Sequence, residues 1–420
     1  MNRNDMPEST HEPKSSREQE ASRDYDIVII GAGIVGLSFA NQLIDSDFSV
    51  AIVEQYAQAT IIAGDTEEVD SRVSAINPFA LQRFAESAVF DSELSSRIGW
   101  FEAMEVWDST GAGRIRFDAA ELGIPELGAI IENNVLQAML MQRVEKAANI
   151  TLFCPAVIQA IDYDALAGTQ TRIGIEHEQS NIDITARLLV GADGVNSRVR
   201  VAAGIPRHRE SYHQQGLVCN VTMSEGHQDT AWQCFMPSGP LAFLPLFNGD
   251  CSIVWSLDEA KAAEMMALDD AAFARTLAEA GEYRLGEVTM VGERRAFPLS
   301  HGHVDDYIKP GLALIGDAAH NIHPLAGQGA NLGIADAVCL FDVITAARAA
   351  GRDWSSSNTL GRYQRRRKGV NQLVESAMTA FKLLFGQSNG VVAELRNTGL
   401  MLVDSLPSLK NRIIRVALGE

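Results

Sequence analysis

The sequence predicts an α/β protein with a discontinuous Rossmann-like dinucleotide-binding domain, an antiparallel β-sheet domain and C-terminal helices. Three largely apolar runs predict the first domain, since each reads as a buried strand and ends at a glycine. They lie at residues 25–31, 186–191 and 311–316. The β-rich sequence between the second and third runs predicts the separate sheet.

The first 24 residues are expected to form a disordered tail. They are rich in Glu, Ser, Arg, Pro and His and lack the apolar segment that a signal peptide needs. Residues 27–44 are uncharged, but three glycines and Asn41-Gln42 interrupt them. We therefore predict no transmembrane helix.

A strand–turn–helix–strand unit follows the tail. Residues 25–30 and 48–54 form its strands, with a helical pattern over 35–43 between them. The turn reads G-x-G-x-x-G, in which glycines allow a tight turn, backbone approach to a pyrophosphate and close helix–strand packing; they are Gly31, Gly33 and Gly36. Glu54 ends the second strand, where a carboxylate accepts hydrogen bonds from a ribose and favours FAD or NAD over NADP.

The middle of the chain alternates between strand and helix patterns. Residues 101–130 predict a hairpin around a glycine-rich turn, and 131–147 carry an apolar stripe at helical spacing. Three strands are expected between residues 150 and 193. The last one ends at GADG, where Asp193 either contacts a ligand or caps the next helix, because Asp-Gly is a common turn.

Residues 209–300 are expected to form an antiparallel sheet with one buried face and one helix near residues 258–280. A buried strand after Gly311 and a helix over residues 329–349 then return to the first domain. Two long helical patterns follow Leu360.

A second group of candidate site residues lies between that strand and helix. Gly316 and Asp317 end the strand, where a carboxylate can accept hydrogen bonds from a sugar or ribityl hydroxyl. The other candidates are Pro324, Gly327, Gln328, Gly329 and Asn331. The helix that Gly329 opens would direct N–H groups at a negatively charged ring. A capped helix after a glycine-rich loop explains the same residues, and both interpretations stay open.

Composition excludes several classes of function. The net charge of −19 opposes binding to nucleic acid, and the one basic cluster, Arg365 to Lys368, is expected to be a solvated helix face. The five cysteines have no C-x-x-C spacing, which argues against a disulfide framework or a zinc site and favours a reducing compartment. We predict no metal site.

The motifs together resemble one family. GAGIVG with Glu54, GADGVNSRVR and GDAAHNIHPLAGQGANLG are similar, in order and spacing, to the three fingerprints of the FAD-dependent aromatic hydroxylases, the group A flavoprotein monooxygenases. Four segments more narrowly resemble the ubiquinone-biosynthesis hydroxylases: RVSAINP from Arg72, Ile131-Glu132-Asn133, LAFLPL from Leu241, and residues 400–419. The resemblance covers residues 24–420.

This resemblance implies roles around one noncovalent FAD. The three glycines and Glu54 would hold its ADP half, and Asp317 with Gly316 the ribityl–pyrophosphate region. Arg72, which alone would be interpreted as a surface residue, would lie along the flavin. Asp193 is associated with both FAD and NAD(P)H. Pro324 to Gly329 would flank the isoalloxazine, with Asn331 nearby.

The predicted domains follow the same resemblance. They are a tail (1–24), a discontinuous FAD-binding domain (25–100, 131–208 and 301–358), a β-rich substrate domain (101–130 and 209–300) and a C-terminal helical region (359–420). Side chains of the β-rich domain can line a channel for a prenyl tail or be ordinary sheet core; they are Phe235, Leu241, Phe243, Leu244 and Trp255.

The implied reaction hydroxylates the ring of a polyprenylphenol in ubiquinone biosynthesis, with NAD(P)H and O2, through a flavin C4a-hydroperoxide. No acid–base residue is assigned, and His320 and His323 are expected to be structural. The implied location is the cytoplasm, with peripheral contact at the inner membrane and a place in a biosynthetic complex. The alternatives are an FAD-dependent prenyl or quinone reductase or dehydrogenase, and a flavin-bearing assembly subunit.

Overall fold

A computed structural model of the chain describes residues 23–57, 69–164, 170–321 and 329–385, together with residue 410. In chain order the strands are β1 (Arg23–Ile30), β2 (Val50–Val53), β3 (Val73–Ile76), β4 (Gly99–Phe101), β5 (Ala103–Asp108), β6 (Arg114–Asp118), β7 (Gly128–Glu132), β8 (Ile150–Phe153), β9 (Ala156–Asp162), β10 (Thr171–His177), β11 (Ser180–Gly191), β12 (Arg207–Met223), β13 (Thr230–Phe235), β14 (Leu241–Pro245), β15 (Cys251–Asp258), β16 (Val288–Val291), β17 (Arg295–Val304), β18 (Ile308–Lys309), β19 (Leu312–Leu314) and β20 (His320–Asn321).

The described helices lie between these strands. They are α1 (Ile34–Leu43), α2 (Pro78–Glu86), α3 (Ala119–Leu122), α4 (Asn133–Val144), α5 (Arg198–Ala202), α6 (Glu259–Ala267), α7 (Asp270–Ala280), α8 (Gly329–Ala349) and α9 (Ser357–Phe385). Three 3-10 turns are added, at Val89–Asp91, Glu93–Arg97 and Gly316–Ala318.

The first sheet joins distant parts of the chain. Its central order is β18-β19-β11-β1-β2-β8, and β10 and β9 extend it from β11. Strands β19, β11, β1, β2 and β8 run parallel, so their carboxyl ends meet at one edge. The three predicted apolar runs are β1, the end of β11 and β19, which confirms the discontinuous α/β domain.

The second sheet has the order β20-β17-β12-β15-β14-β13-β5-β6, with β16 also paired to β12. Its pairs are antiparallel except β13 with β5, which run parallel. The predicted hairpin is present as β5 and β6. A third sheet, β3-β7-β4, lies outside both. Three strands therefore cross predicted domain boundaries. Strand β4 crosses the boundary at residues 100 and 101, β7 the one at 130 and 131, and β17 the one at 300 and 301. The division into domains stays a prediction.

Several local expectations were wrong. Two helices, α6 and α7, replace the single helix near residues 258–280, because Leu268 is extended and the Asp269 side chain caps α7 through the N–H of Ala272 at 2.8 Å. Four strands, not three, lie between residues 150 and 193. The expected tail overlaps β1 by two residues, since Arg23 and Asp24 pair with β11.

The long helices complete the first domain. Helix α8 confirms the helix predicted over residues 329–349, and it packs against α1 and α9. In the part of the chain described, it is the one helix long and apolar enough to cross a membrane. Side chains such as Ile334, Ala337, Leu340 and Ile344 are buried in the core of the first domain, which identifies α8 as a core helix. The second predicted C-terminal helix lies outside the described residues.

Candidate functional site

The glycine turn after β1 packs tightly against the turn after β11. Gly31 has φ +103°, and a Cβ on it would lie 2.5 Å from the carbonyl oxygen of Ala192. A Cβ on Gly36 would lie 2.1 Å from the carbonyl oxygen of Gly31. Both positions therefore require glycine for packing within the protein.

Gly33 differs from its two neighbours in the motif. A Cβ on Gly33 would meet no atom of the described residues within 4 Å. It is the N-cap of α1 and, among those residues, no side chain caps this helix end. The first intrahelical bond joins the Leu37 N–H to the Gly33 carbonyl oxygen at 2.9 Å. The start of α1 thus offers N–H donors and positive potential, a donor set that fits a pyrophosphate.

Glu54 lies beside this turn, at the carboxyl end of β2. Its carboxylate accepts hydrogen bonds from the backbone N–H of Ala32 at 2.7 Å and of Tyr56 at 2.9 Å. The Gln137 side chain of α4 supports the turn from the other side, donating to the Ala32 carbonyl oxygen at 2.6 Å. The carboxylate is half-buried at the carboxyl end of β2, and its role as a ribose acceptor stays a prediction.

The turn after β11, in the middle fingerprint, forms a second wall of the candidate cofactor crevice. The glycine turn after β1 forms the first wall. The Ala192 N–H donates to the Ile30 carbonyl oxygen at 2.8 Å, which fixes the two turns together. Asp193 caps α5 by accepting from the N–H of Arg198 at 2.6 Å and of Val199 at 3.3 Å. Burial raises the pKa of its carboxyl, and among described residues Oδ1 has no hydrogen-bond partner. The structure thus shows the capping role, and the contact with FAD or NAD(P)H stays a prediction.

The third wall is the turn after β19. Gly316 has φ +58°, and a Cβ on it would lie 3.1 Å from the Val35 side chain of α1. The Ile315 N–H donates to the Gly191 carbonyl oxygen at 3.0 Å, so all three fingerprints meet at one edge of the first sheet. Asp317 is exposed to solvent there, although protein atoms crowd around it. Burial raises the pKa of its carboxyl, against the opposing charges of His320 and Arg207.

Arg72 lies at the start of β3. Its guanidinium carbon is 5.8 Å from the centre of the Phe297 ring on β17. Its backbone is fixed, because its carbonyl oxygen accepts from the Asn133 N–H at 2.9 Å and its N–H donates to Asp70 Oδ1 at 3.0 Å. The side chain itself is exposed. It therefore lies where the third sheet meets the second, and a role along the flavin stays a prediction.

Asn331 uses its amide on protein backbone. Nδ2 donates to the Ala75 carbonyl oxygen at 2.7 Å, and Oδ1 accepts from the Asn77 N–H at 3.0 Å. It therefore ties the first turn of α8 to the segment after Arg72. Gly329 begins α8, and a Cβ on it would meet no described atom within 4 Å. Pro324, Gly327, Gln328 and His323 lie outside the described residues.

Sequence reasoning missed a buried charge network behind the third turn. Asp336 on α8 is fully buried and paired with His320 and with Arg367 of α9, whose Nε lies 2.7 Å from Oδ1. The expected solvated face was therefore wrong for Arg367, although Arg365 and Arg366 are exposed. Asp336 is the one acid in the apolar run from Ala330 to Phe341, and that isolated charge was the available signal.

Comparison with known proteins agrees with this arrangement. The profile of the family described as "FAD binding domain" matches residues 24–377. The 3-demethoxyubiquinol 3-hydroxylase of Escherichia coli (strain K12) is 37% identical over 395 residues, which cover 94% of this chain and 98% of that protein. The mitochondrial ubiquinone biosynthesis monooxygenase COQ6 of Homo sapiens is 30% identical over 442 residues, covering 94% and 92%.

Solved structures show the same fold. The p-nitrophenol 4-monooxygenase PnpA from Pseudomonas putida DLL-E4 has a TM-score of 0.74 at 16% identity, covering 94% of this chain and 97% of that one. PqsL of P. aeruginosa, in complex with 2-aminobenzoylacetate, has a TM-score of 0.72 at 23% identity, covering 90% and 100%. The family profile and the two relatives then settle the classification: the chain belongs to the FAD-dependent monooxygenases of the FAD binding domain family, and among them to the ubiquinone-biosynthesis hydroxylases.

Proposed function

We propose that this monooxygenase hydroxylates the aromatic ring of a polyprenylphenol on the way to ubiquinone, using NAD(P)H and O2. The observation that carries the proposal is the meeting of three fingerprints at one sheet edge, in a chain that matches a demethoxyubiquinol hydroxylase over nearly the full length of both proteins. When bound, FAD supplies the reduction of O2 and the oxygen transfer to the ring.

The residues at this edge suit the parts of FAD in order. Gly33 and the start of α1 would hold the pyrophosphate, and Glu54 the adenosine ribose. Asp317 would accept a hydrogen bond from the ribityl chain, since this residue reaches solvent at the third turn. Arg72 and the start of α8 at Gly329 would border the ring, the helix contributing positive potential.

The phenol and its tail need the space beside the second sheet. Of the five apolar side chains considered for a channel wall, Leu241, Phe243 and Trp255 pack in one core cluster with Phe273 and Leu277 of α7, as ordinary sheet core. Leu244 belongs to the cluster on the opposite face, against which Val73 and Ala75 pack. We therefore propose that the tail lies on the Leu244 side, next to Arg72, where apolar walls also exclude water.

The direct test gives the FAD-loaded protein NADPH or NADH, 18O2 and a phenol with a short prenyl chain. A product that carries one 18O atom on its ring supports the proposal. A saturated or dehydrogenated product without 18O would establish the reductase or dehydrogenase alternative. If the protein binds FAD but the phenol does not increase the rate of NAD(P)H oxidation, the result would indicate the assembly subunit. Pull-down of other biosynthetic proteins addresses membership in a complex.

We propose a cytoplasmic location with peripheral contact at the inner membrane, since a polyprenyl tail partitions into lipid. Helix α9 exposes Val370 and Leu373, the latter at 68%, next to Arg366. Such a face suits a lipid surface. Sedimentation with anionic lipid vesicles tests this, and protein that stays in the supernatant at low salt contradicts it.

Asp317→Ala is expected to weaken FAD binding by about 10- to 100-fold, the loss of one hydrogen bond to a charged group. The fold should persist, because the side chain is exposed and not part of the core. Flavin absorbance and circular dichroism on one sample measure both effects. Asp305→Ala, a carboxylate exposed elsewhere, is the control. Equal FAD affinity in parent and variant would contradict the ribityl assignment.

Gly329→Val is expected to retain FAD but to release more hydrogen peroxide for each NAD(P)H oxidised. A Cβ at this position meets no described atom, so the change alters the surface that the start of α8 offers to the ring and leaves the core intact. A displaced ring admits water to the reaction space. Parallel assays of NAD(P)H, peroxide and hydroxylated phenol check this; parental coupling would show that Gly329 serves only as a helix start.

A further inference from the structure

A buried carboxylate supports the turn that presents Asp317 from behind, in addition to Arg200, whose Nη1 donates to the Ala318 carbonyl oxygen at 3.3 Å. Asp336 on α8 is 0% exposed. Its Oδ2 accepts from the Gly316 N–H at 3.2 Å and from His320 Nε2. The carboxylate therefore binds both ends of the five-residue stretch from Gly316 to His320, and Asp317 lies between those two contacts.

The other oxygen of the same carboxylate is held by α9. Oδ1 accepts from Arg367 Nε at 2.7 Å and from Asn371 Nδ2 at 3.1 Å. Arg367 also donates to Asn371 Oδ1 at 2.8 Å. Each carboxylate oxygen thus has two donors, so Asp336 has one orientation. Although burial acts to raise it, the pKa of Asp336 is lowered by His320 and Arg367, and the carboxylate is ionised at neutral pH.

Packing around the network allows little movement. The buried Tyr307 ring stacks on His320, with centres 5.7 Å apart. A Cβ on Gly333 of α8 would lie 2.4 Å from Val35 of α1 and 3.3 Å from the Gly316 Cα. Helix α8 therefore lies directly against the turn and against the helix whose start we assign to the pyrophosphate. Asp336 contacts both ends of the stretch that carries Asp317, whereas the glycine turn has its own supports in Ala192 and Gln137.

We propose that Asp336 is a positioning residue for the flavin: it fixes the turn through Gly316 and His320, so that the Asp317 carboxylate is held where the ribityl chain binds, and α9 fixes Asp336 through Arg367 and Asn371. This inference rests on the proposed function of Asp317. Asp336 acts on the ribityl half of FAD and leaves the ADP half unaffected, a distinction that a general loss of structure would not produce.

The test compares FAD with ADP. Full-length protein depleted of FAD is titrated with FAD by flavin fluorescence, and ADP affinity is measured by competition. Asp336→Asn is expected to weaken FAD binding by about tenfold and to change ADP affinity by less than about twofold. Asp342→Asn, exposed on the same helix, is the matched control and should match the parent. A parallel loss of both affinities, or no loss of either, would overturn the proposal.

A double-mutant cycle separates this inference from the assignment of Asp317. If Asp336 acts through Asp317, the double variant Asp317→Ala/Asp336→Asn binds FAD no more weakly than Asp317→Ala alone. Full additivity refutes the positioning role while the assignment of Asp317 stands. An Asp317→Ala protein with parental FAD affinity instead refutes that assignment. If Asp336→Asn fails to fold, Arg367→Gln, which keeps the His320 bond, replaces it in the cycle with the same expectations.

Discussion

A Gly33→Trp protein is expected to fold and to purify without its yellow colour. A Cβ on Gly33 would meet no described protein atom within 4 Å, and an indole there would cover the N-terminus of α1. FAD would lose several N–H donors to its pyrophosphate, each contributing ~1–3 kcal/mol, and we expect affinity to fall by about a hundredfold or more. Flavin absorbance per chain, with thermal unfolding on the same preparation, measures the outcome.

Two other glycines serve as controls for this result. Gly369→Trp places the same side chain at an exposed and equally open position on α9, and should retain FAD. Gly36→Val should lose stability with or without the cofactor, since its Cβ would overlap the Gly31 carbonyl oxygen. Stoichiometric FAD in Gly33→Trp would show that the pyrophosphate does not bind at the start of α1.

Arg97→Met is expected to lower the free energy of unfolding by about 3–5 kcal/mol, the cost of breaking a buried ion pair from one side. Arg97 and Glu132 are 7% and 1% exposed, and Arg97 donates to both carboxylate oxygens, at 2.8 and 3.0 Å. Met leaves Glu132 with the Asp70 N–H, at 2.6 Å. Urea denaturation of both proteins gives the difference.

The size of this effect should depend on pH. Burial already raises the pKa of Glu132, against the lowering influence of the Asp70 N–H and Arg97, and loss of Arg97 raises it further. A raised carboxyl pKa favours folding below the unfolded value of 4.5 and opposes it as pH rises through the folded value. The destabilisation should therefore be smaller at pH 5 than at pH 8. The double variant Arg97→Met/Glu132→Gln should recover more than half of the loss; no recovery would show that Arg97 acts by packing on Phe247, not by charge.

The parts of the fold that local chemistry determines were predicted from the sequence. The parallel strands around β1 and helix α8 are apolar runs with a clear beginning and end, and glycine turns follow the strands. All of these elements are present. The break at Leu268 was missed because Asp269 caps a helix inside a sequence whose apolar spacing continues on both sides. The third sheet was missed because β3, β4 and β7 pair over long separations that no local pattern reports.

At the candidate site, the residues that lie at the sheet edge could be identified from the sequence. The buried residues that support them could not. Gly33, Glu54 and Asp317 belong to motifs with a chemical reason for each residue type. Asp336 and Arg367 interact only through the packing of α8 on α9, so their pairing depends on tertiary structure. Asp193 and Asn331 were expected near the cofactor, and the structure shows that both side chains contact protein backbone, Asp193 through Oδ2 alone.

The distribution of the three fingerprints along the chain has a consequence for biosynthesis. The first two walls of the crevice are complete once β11 has been made, but the third needs β19 and the turn at Gly316, and its support needs Asp336 and Arg367. A nascent chain that has emerged only as far as residue 300 therefore has two of these turns and lacks Asp317, the residue proposed to contact the ribityl chain. Ribosomes add about 5–20 residues per second, so the second wall waits tens of seconds at the lower rate for the third. If Asp317 holds the ribityl chain as proposed, insertion of the cofactor is a late event, which follows translation of most of the chain.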